Sequence, residues 1–102
     1  FLFGDEEYLK EEVAERIVRT LVEERLIACG NIVEGLTSIY RWKDAIECDA
    51  EVLVVMKTAS AVVQRLLERG AELHPYEVPE LLVLPIEAGH GPYLDWIFGT
   101  VE

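Results

Sequence analysis

Two long β-prone stretches, separated by a very short polar turn, constrain this chain more than any other feature of its sequence. The first, from Ile27 to Trp42, is rich in β-branched and aromatic residues and contains glycines that suit a bend or a bulge. The second, from Ala45 to Lys57, ends in the apolar block VLVVM, which predicts cover on both faces. Asp44 in the intervening turn tolerates the left-handed backbone that tight hairpins often need. The sequence therefore predicts a long antiparallel hairpin.

Two amphipathic helices flank this hairpin. Over residues 10–26 apolar side chains recur at i, i+4 and i+8, which marks one face of a helix. A second helix begins near Ser60, a suitable N-cap residue, and carries its apolar residues on one side. The segment LHPYEVPE, residues 73–80, ends this helix because a proline disfavours helical backbone in the residue before it.

A strand and a short helix are predicted beyond that segment. The strand LLVLPIE, residues 81–87, belongs at a sheet edge because Pro85 lacks a backbone donor. Residues 92–98 begin with a proline suited to the first turn of a helix. With the initial FLF as the only candidate for a first strand, the order is β-α-β-β-α-β. We therefore expect one α+β domain over residues 1–102, a ferredoxin-like two-layer sandwich with a short C-terminal helix.

Charge and composition exclude several classes of function. Twenty acidic against nine basic side chains give a net charge of -11, which repels phosphate backbones and argues against nucleic acid as a partner. The sequence contains no apolar run of the roughly 20 residues that a membrane span requires. No secretory signal is visible, so the expected location is the cytoplasm. Cys29 and Cys48 lack the CxxC spacing of zinc ribbons and redox motifs.

Several stretches together resemble the CutA family of divalent-cation tolerance proteins: VEERLIACGNI, SIYRWKDAIECDAEVLVVMKT, LHPYEVPELLVLPIEAG and YLDW. The resemblance implies a ferredoxin-like fold assembled as a homotrimer, an architecture similar to that of the PII signalling proteins, and a link to copper and other divalent ions. It brings no accepted catalytic reaction. The start of the chain departs from the resemblance, because FLFGDEEYLK stands where family members usually show an alternating apolar strand.

A homotrimer also follows from the length of the hairpin. Residues 36–57 exceed what one small sheet can pair internally, and unpaired strand edges aggregate unless a partner caps them. Pairing between copies in a closed ring would satisfy those edges. Tyr40 and Trp42 would suit a subunit contact, and they would suit the core of one face of the hairpin equally well.

The metal hypothesis takes His74, Cys29 and Glu77 as ligands. An imidazole and a thiolate suit copper better than magnesium or calcium, and Glu77 could add a carboxylate oxygen. The competing interpretation makes His74 a hydrogen-bond donor at a helix end. An enzyme would use His74, Tyr76, Glu77 and Glu80 as acid–base groups, but no nucleophile, phosphate loop or cofactor motif accompanies them, so we expect no enzyme and no catalytic residues.

The alternative function is a PII-like small-molecule sensor or scaffold, whose ligand or partner would occupy clefts between subunits. This rests on analogy of fold. Its cleft would be lined by Tyr40, Trp42, Lys57, Tyr76 and Glu80, together with His74 and Glu77. An anionic ligand would need the few cations nearby, which are Lys57, Arg41 and Lys43. His90, between two glycines, is expected to be an exposed loop residue.

Overall fold

The computed structural model describes the strand backbone of residues 2–3 and the whole of residues 10–102. Its elements follow in the order β1 (Leu2–Phe3), α1 (Lys10–Glu23), β2 (Cys29–Trp42), β3 (Ala45–Lys57), a 3-10 turn (Ser60–Val62), α2 (Val63–Leu73) and α3 (Gly91–Thr100). Within this part of the chain, no helix is both long and apolar enough to cross a membrane.

The predicted hairpin is confirmed as the antiparallel pair β2 and β3, which runs from Cys29 opposite Lys57 to Trp42 opposite Ala45. One irregularity interrupts the ladder between Val33 and Leu36, where Gly35 takes a φ of 80°. A left-handed φ of this kind is typical of a glycine bulge. The connecting turn has φ values of 49° at Lys43 and 66° at Asp44. Two left-handed residues give the turn a twist that matches the flanking strands.

The sheet has the strand order β1-β3-β2, with both neighbours of β3 antiparallel to it. β1 and β2, which α1 connects, are therefore parallel and separated by β3. This is the split β-α-β arrangement of ferredoxin-like folds. The predicted first strand is present as Leu2–Phe3, whose partners on β3 are Leu53 and Val52.

The hydrophobic core of the described residues lies between α1, α2 and one face of the sheet. α1 contributes Ala14, Ile17 and Leu21, and β3 contributes Val52 and Val54. Alternate residues of a strand point to opposite faces, so the odd-numbered residues of β3 face away from this core.

One predicted strand is absent. Residues 81–87 form no strand, and no backbone hydrogen bond joins them to another part of the described chain. Their side chains are also largely exposed, with Leu84 at 85%. The apolar pattern that predicted a strand is real, but a strand needs a neighbouring strand, and within the described residues these seven have none.

An ion pair joins Glu24, the residue directly after α1, to Arg69 of α2. Arg69 donates to Glu24 through Nε at 2.9 Å and through Nη2 at 2.8 Å, a two-pronged geometry that guanidinium and carboxylate groups favour. This hydrogen bond lowers the pKa of the Glu24 carboxyl below its ordinary value of 4.5, and it raises the pKa of Arg69. The two helices that cover the sheet are thus joined at their surface as well as through the core.

Candidate functional site

Two hollows are lined by residues 75–88, the segment that leaves α2: one by residues 75–80 and the other by residues 81–88. The first, which we call the acidic cleft, has a volume of about 940 Å³ and lies between the far half of the hairpin and residues 75–80. Three aromatic residues line it: Tyr40, Trp42 and Tyr76. Five carboxylates also line it: Glu47, Asp49, Glu51, Glu77 and Glu80. Among the described residues that form its wall, none is a lysine or an arginine.

The register of the hairpin places both chemical types on one face. Tyr40 lies directly opposite Glu47, and Leu36 lies opposite Glu51. Residues opposite each other in an antiparallel pair project to the same side. The Tyr40 hydroxyl reaches diagonally and donates to Asp49 Oδ2 at 2.5 Å. The hairpin therefore presents a row of carboxylates on β3 beside a row containing aromatic residues on β2.

His74 forms the junction between α2 and the cleft wall. Its backbone N–H donates to Gly70 O at 3.0 Å, which ends α2, and its Nδ1 accepts a hydrogen bond from the Tyr76 backbone N–H at 3.0 Å. The residue is only 5% exposed, and its ring meets that of Tyr76 edge-on at 4.7 Å. The Nδ1 atom thus holds the connector as an acceptor, whereas the competing interpretation of this histidine was a hydrogen-bond donor at the helix end.

Glu51 differs from the other carboxylates of the cleft. It is 9% exposed, and among the described residues its carboxylate has neither a hydrogen bond nor an ion pair. No fully enclosed polar side-chain atom in the described chain lacks a partner, so the Glu51 oxygens must keep contact with the space of the cleft. The ammonium group of Lys10, at the start of α1, donates to the backbone carbonyl of Ala50, the residue before Glu51.

Cys29 lies at the start of β2, directly opposite Lys57. Its thiol is half-buried and sits 3.9 Å from Asn31 Oδ1, which also accepts a hydrogen bond from Lys57 Nζ. An ammonium group this close opposes the binding of a second cation at the thiol.

The structure does not assemble His74, Cys29 and Glu77 into a metal centre within one chain. Among the residues that the structure describes, no three His, Cys, Asp or Glu side chains are placed to hold an ion together. Of the five residues predicted to line a ligand cleft, the structure brings Tyr40, Trp42, Tyr76 and Glu80 together in the acidic cleft. His90 is exposed, immediately before α3.

Lys57, the fifth predicted cleft residue, lines the second hollow instead. This hollow, which we call the apolar groove, has a volume of about 440 Å³ and lies between β3, α2, α3 and residues 81–88. Its walls are mostly aliphatic, including Val54, Met56 and Leu66. Lys57, which could have balanced an anionic ligand in the acidic cleft, therefore lines the apolar groove and not the cleft.

Sequence reasoning missed Glu47, Asp49 and Glu51. A signal for them was available, because three acidic residues at i, i+2 and i+4 of a predicted strand must share one face. The apolar block VLVVM that follows these residues predicts a buried strand, and a continuous apolar block does not show which face the preceding acidic residues share.

Comparison with known proteins gives the family. The model of the CutA1 divalent ion tolerance protein family matches residues 7–100, and the chain belongs to this family. The divalent-cation tolerance protein CutA of Thermus thermophilus is 54% identical over 87 residues, which cover 85% of this chain and 84% of that protein. Protein CutA of mouse is 49% identical over 92 residues, which cover 90% of this chain and 52% of the mouse protein. The chain thus spans about half the length of its mouse relative.

Solved structures give the same fold. The divalent cation tolerance protein of T. thermophilus superposes with a TM-score of 0.89 at 48% identity, covering 99% of this chain and 95% of that one. A PII-like protein CutA from Nostoc sp. PCC 7120, in its apo form, superposes with a TM-score of 0.86 at 39% identity, covering 99% and 94%. The predicted family and ferredoxin-like fold class are confirmed, and the likeness to PII proteins is a relationship of fold.

Proposed function

We propose that this protein serves divalent-cation tolerance as a cytoplasmic homotrimer that binds copper or a related divalent ion without turnover. The observation that carries the proposal is the family match over residues 7–100. Both cysteines are free thiols, as expected in a reducing compartment.

Trimer assembly is supported by the apolar surface around residues 81–87. Leu82, Leu84 and Ile86 are exposed beside the apolar groove, and a contiguous apolar surface of this kind marks a protein–protein contact. Residues 81–87 also keep backbone donors and acceptors that no other part of the described chain uses. A neighbouring copy would bury the side chains and pair the backbone at the same time.

Metal binding through His74, Cys29 and Glu77 needs donors from more than one copy or a displaced connector, because one chain does not bring the three together. Binding at His74 also has to compete with its hydrogen bond from the Tyr76 backbone. Both requirements lower the affinity, and moderate affinity suits a protein that buffers an ion.

Copper titration by calorimetry tests the site. His74→Ala and Cys29→Ser should each weaken the strongest binding step, whereas Cys48→Ser should leave it unchanged. Cys48 is the matched control because it is a free and exposed thiol on β3. The same stoichiometry and affinity in all four proteins would reject the three-ligand site and leave only diffuse attraction to the acidic surface.

The PII-like sensor is the second candidate, and the acidic cleft is the observation that favours it. Four of the predicted cleft residues, from two distant segments, meet in one hollow large enough for a small molecule. The carboxylates of that hollow disfavour nucleotides and small acids. A thermal-shift screen tests this, because a ligand raises Tm as its concentration exceeds Kd. A screen in which neither anions nor cations shift Tm would reject the sensor.

A further inference from the structure

The direction of one hydrogen bond determines which form of the His74 imidazole the folded chain holds. Nδ1 accepts a hydrogen bond from the Tyr76 backbone N–H at 3.0 Å. A neutral imidazole has one acceptor nitrogen and one N–H group. Because Nδ1 is the acceptor, the proton is on Nε2. His74 is therefore held as the Nε2–H tautomer, and the only lone pair in the plane of its ring is already in use.

This tautomer does not suit a metal ligand. A histidine that coordinates a metal through one ring nitrogen almost always donates the N–H of the other nitrogen to a carboxylate, a backbone carbonyl or water. Coordination of His74 through Nε2 would require the proton on Nδ1, where it would face the N–H of Tyr76, and two donors cannot form a hydrogen bond. Coordination through Nδ1 would use the lone pair that the same N–H uses. Binding at either nitrogen of the neutral ring therefore breaks the hydrogen bond to Tyr76.

The burial of the ring leads to the same conclusion. His74 is 5% exposed, and the Tyr76 ring meets it edge-on at 4.7 Å between the ring centres. Imidazole and thiolate donors suit a copper-like ion in their chemistry. The folded chain nevertheless closes this imidazole to an ion.

The position of residues 75–80 depends strongly on the His74 ring. No backbone–backbone hydrogen bond joins these residues to another part of the described chain. The bond to Tyr76 follows directly after the end of α2, and it sets the direction in which the chain leaves that helix. Residues 75–80 then line the acidic cleft opposite the hairpin. Losing the bond therefore frees one wall of that cleft to shift.

We infer that His74 holds residues 75–80 and binds a divalent ion only alternately, so that an ion is bound there only after the Tyr76 N–H has left the ring. This inference rests on the proposed metal function of His74, and it adds how that site is regulated. By linkage, any change that stabilises the folded position of residues 75–80 weakens ion binding at His74 by the same factor.

Nitrogen-15 NMR of the metal-free protein tests the first step. Two-bond correlations within the imidazole distinguish a protonated ring nitrogen from an acceptor nitrogen. Nε2 of His74 should carry the proton. A proton on Nδ1 would overturn the inference, whatever the protein binds.

Amide hydrogen exchange during a zinc chloride titration tests the alternation. Zn²⁺ binds imidazole and thiolate without redox chemistry, so it leaves the cysteines reduced. At saturating zinc the Tyr76 amide should exchange at least about fivefold faster, because it has lost one hydrogen bond. The Val54 amide, in the core of the sheet, should stay within about twofold and report that the fold is intact.

His74→Asn is the matched variant, because it keeps the acceptor and removes the imidazole. Oδ1 of asparagine and Nδ1 of histidine are both attached to Cγ, and an asparagine side chain commonly accepts a hydrogen bond from the backbone N–H two residues on. Exchange at Tyr76 in metal-free His74→Asn should stay within about threefold of the wild type, and zinc should not change it. In His74→Ala, which lacks the acceptor, exchange should be fast with and without zinc.

The possible failures are distinguishable. Saturable zinc binding that is weakened by His74→Asn, but with no faster exchange at Tyr76 in the wild type, would overturn the inference and leave the metal function standing. Equal acceleration in the wild type and in His74→Asn would also overturn it, because zinc would then act elsewhere on the acidic chain. A wild type that shows no saturable zinc binding would reject the metal function and this inference together.

Discussion

The acidic cleft and the apolar groove are lined by successive parts of the segment that leaves α2, residues 75–80 and residues 81–88, yet they place opposite demands on their surroundings. The groove exposes aliphatic side chains such as Leu84, whose contact with water is unfavourable and is relieved by any well-fitting protein surface. The cleft exposes five carboxylates, which water solvates well, beside exposed apolar side chains such as Ile39 and Trp42. The contrast is one of composition: the groove wall is mostly aliphatic, whereas the cleft wall mixes carboxylates with aromatic and aliphatic side chains.

The largest effect is expected from a charge in the groove wall. Leu84→Asp should convert the assembled protein to a species of about 11.6 kDa, because a buried unpaired carboxylate would oppose closure of the interface. Light scattering measures this directly, and circular dichroism checks that the chain stays folded. Leu84→Met is the control, since it preserves the apolar volume. An unchanged mass in Leu84→Asp would place the assembly surface elsewhere.

The close contact between Gly30 and Val18 lies outside both hollows, and it gives a reference value for the stability changes expected within them. A Cβ at Gly30 would lie 2.7 Å from Val18 Cγ1, so Gly30→Ala should cost about 1–3 kcal/mol of unfolding free energy by overpacking α1 against β2. Urea unfolding measures it. Gly99→Ala, in α3 with nothing near the added methyl, should instead gain about 0.5–1 kcal/mol. A loss at Gly99 equal to that at Gly30 would contradict the packing explanation.

A smaller effect is expected within the acidic cleft. Tyr40→Phe removes the hydroxyl that donates to Asp49 and should cost about 1 kcal/mol, because both groups remain partly solvated. Tyr93→Phe, on α3 outside the cleft, should change the stability by less than about 0.5 kcal/mol. Thermal unfolding measures the Tm of both variants. Equal changes in Tm would show that the hydrogen bond from Tyr40 to Asp49 does not contribute to stability.

The smallest effect is expected from the ion pair between Glu24 and Arg69. The pKa of Glu24 is lowered in the folded protein by its hydrogen bond to Arg69, so the stabilisation is present above the ordinary pKa of 4.5 and is lost as the pH falls below it. The stability advantage of the wild type over Glu24→Gln should therefore shrink between about pH 6 and about pH 3. Urea unfolding at several pH values follows it. A difference that does not change with pH would show that the pair is without effect on stability.

The fold was predictable wherever its causes are local. The α1 stripe, the hairpin and its left-handed turn at Asp44 follow from side-chain periodicity and turn chemistry, which the sequence displays directly. Residues 81–87 were predicted as a strand and are not one, because pairing depends on a neighbour that periodicity cannot supply.

The candidate site was predictable only in part for the same reason. The residues HPYEVPE and the aromatic pair Tyr40 and Trp42 stand out by type, and the structure places members of both groups in one cleft. Lys57 could not be assigned to a hollow from sequence, because the hollow that it lines depends on how distant segments pack around the end of β3. The burial of Glu51 depends on tertiary packing, which the identity of one residue in the sequence does not reveal.

Residues 75–80 line the acidic cleft and residues 81–88, which follow directly, line the apolar groove, and this has a thermodynamic consequence. Pro75, Pro79 and Pro85 restrict the backbone of this continuous segment. If occupancy of the cleft alters the fit of the groove by some factor, linkage requires that filling the groove alter affinity in the cleft by that same factor. Subunit concentration would then act as an effector of ligand uptake, and the ligand as an effector of assembly.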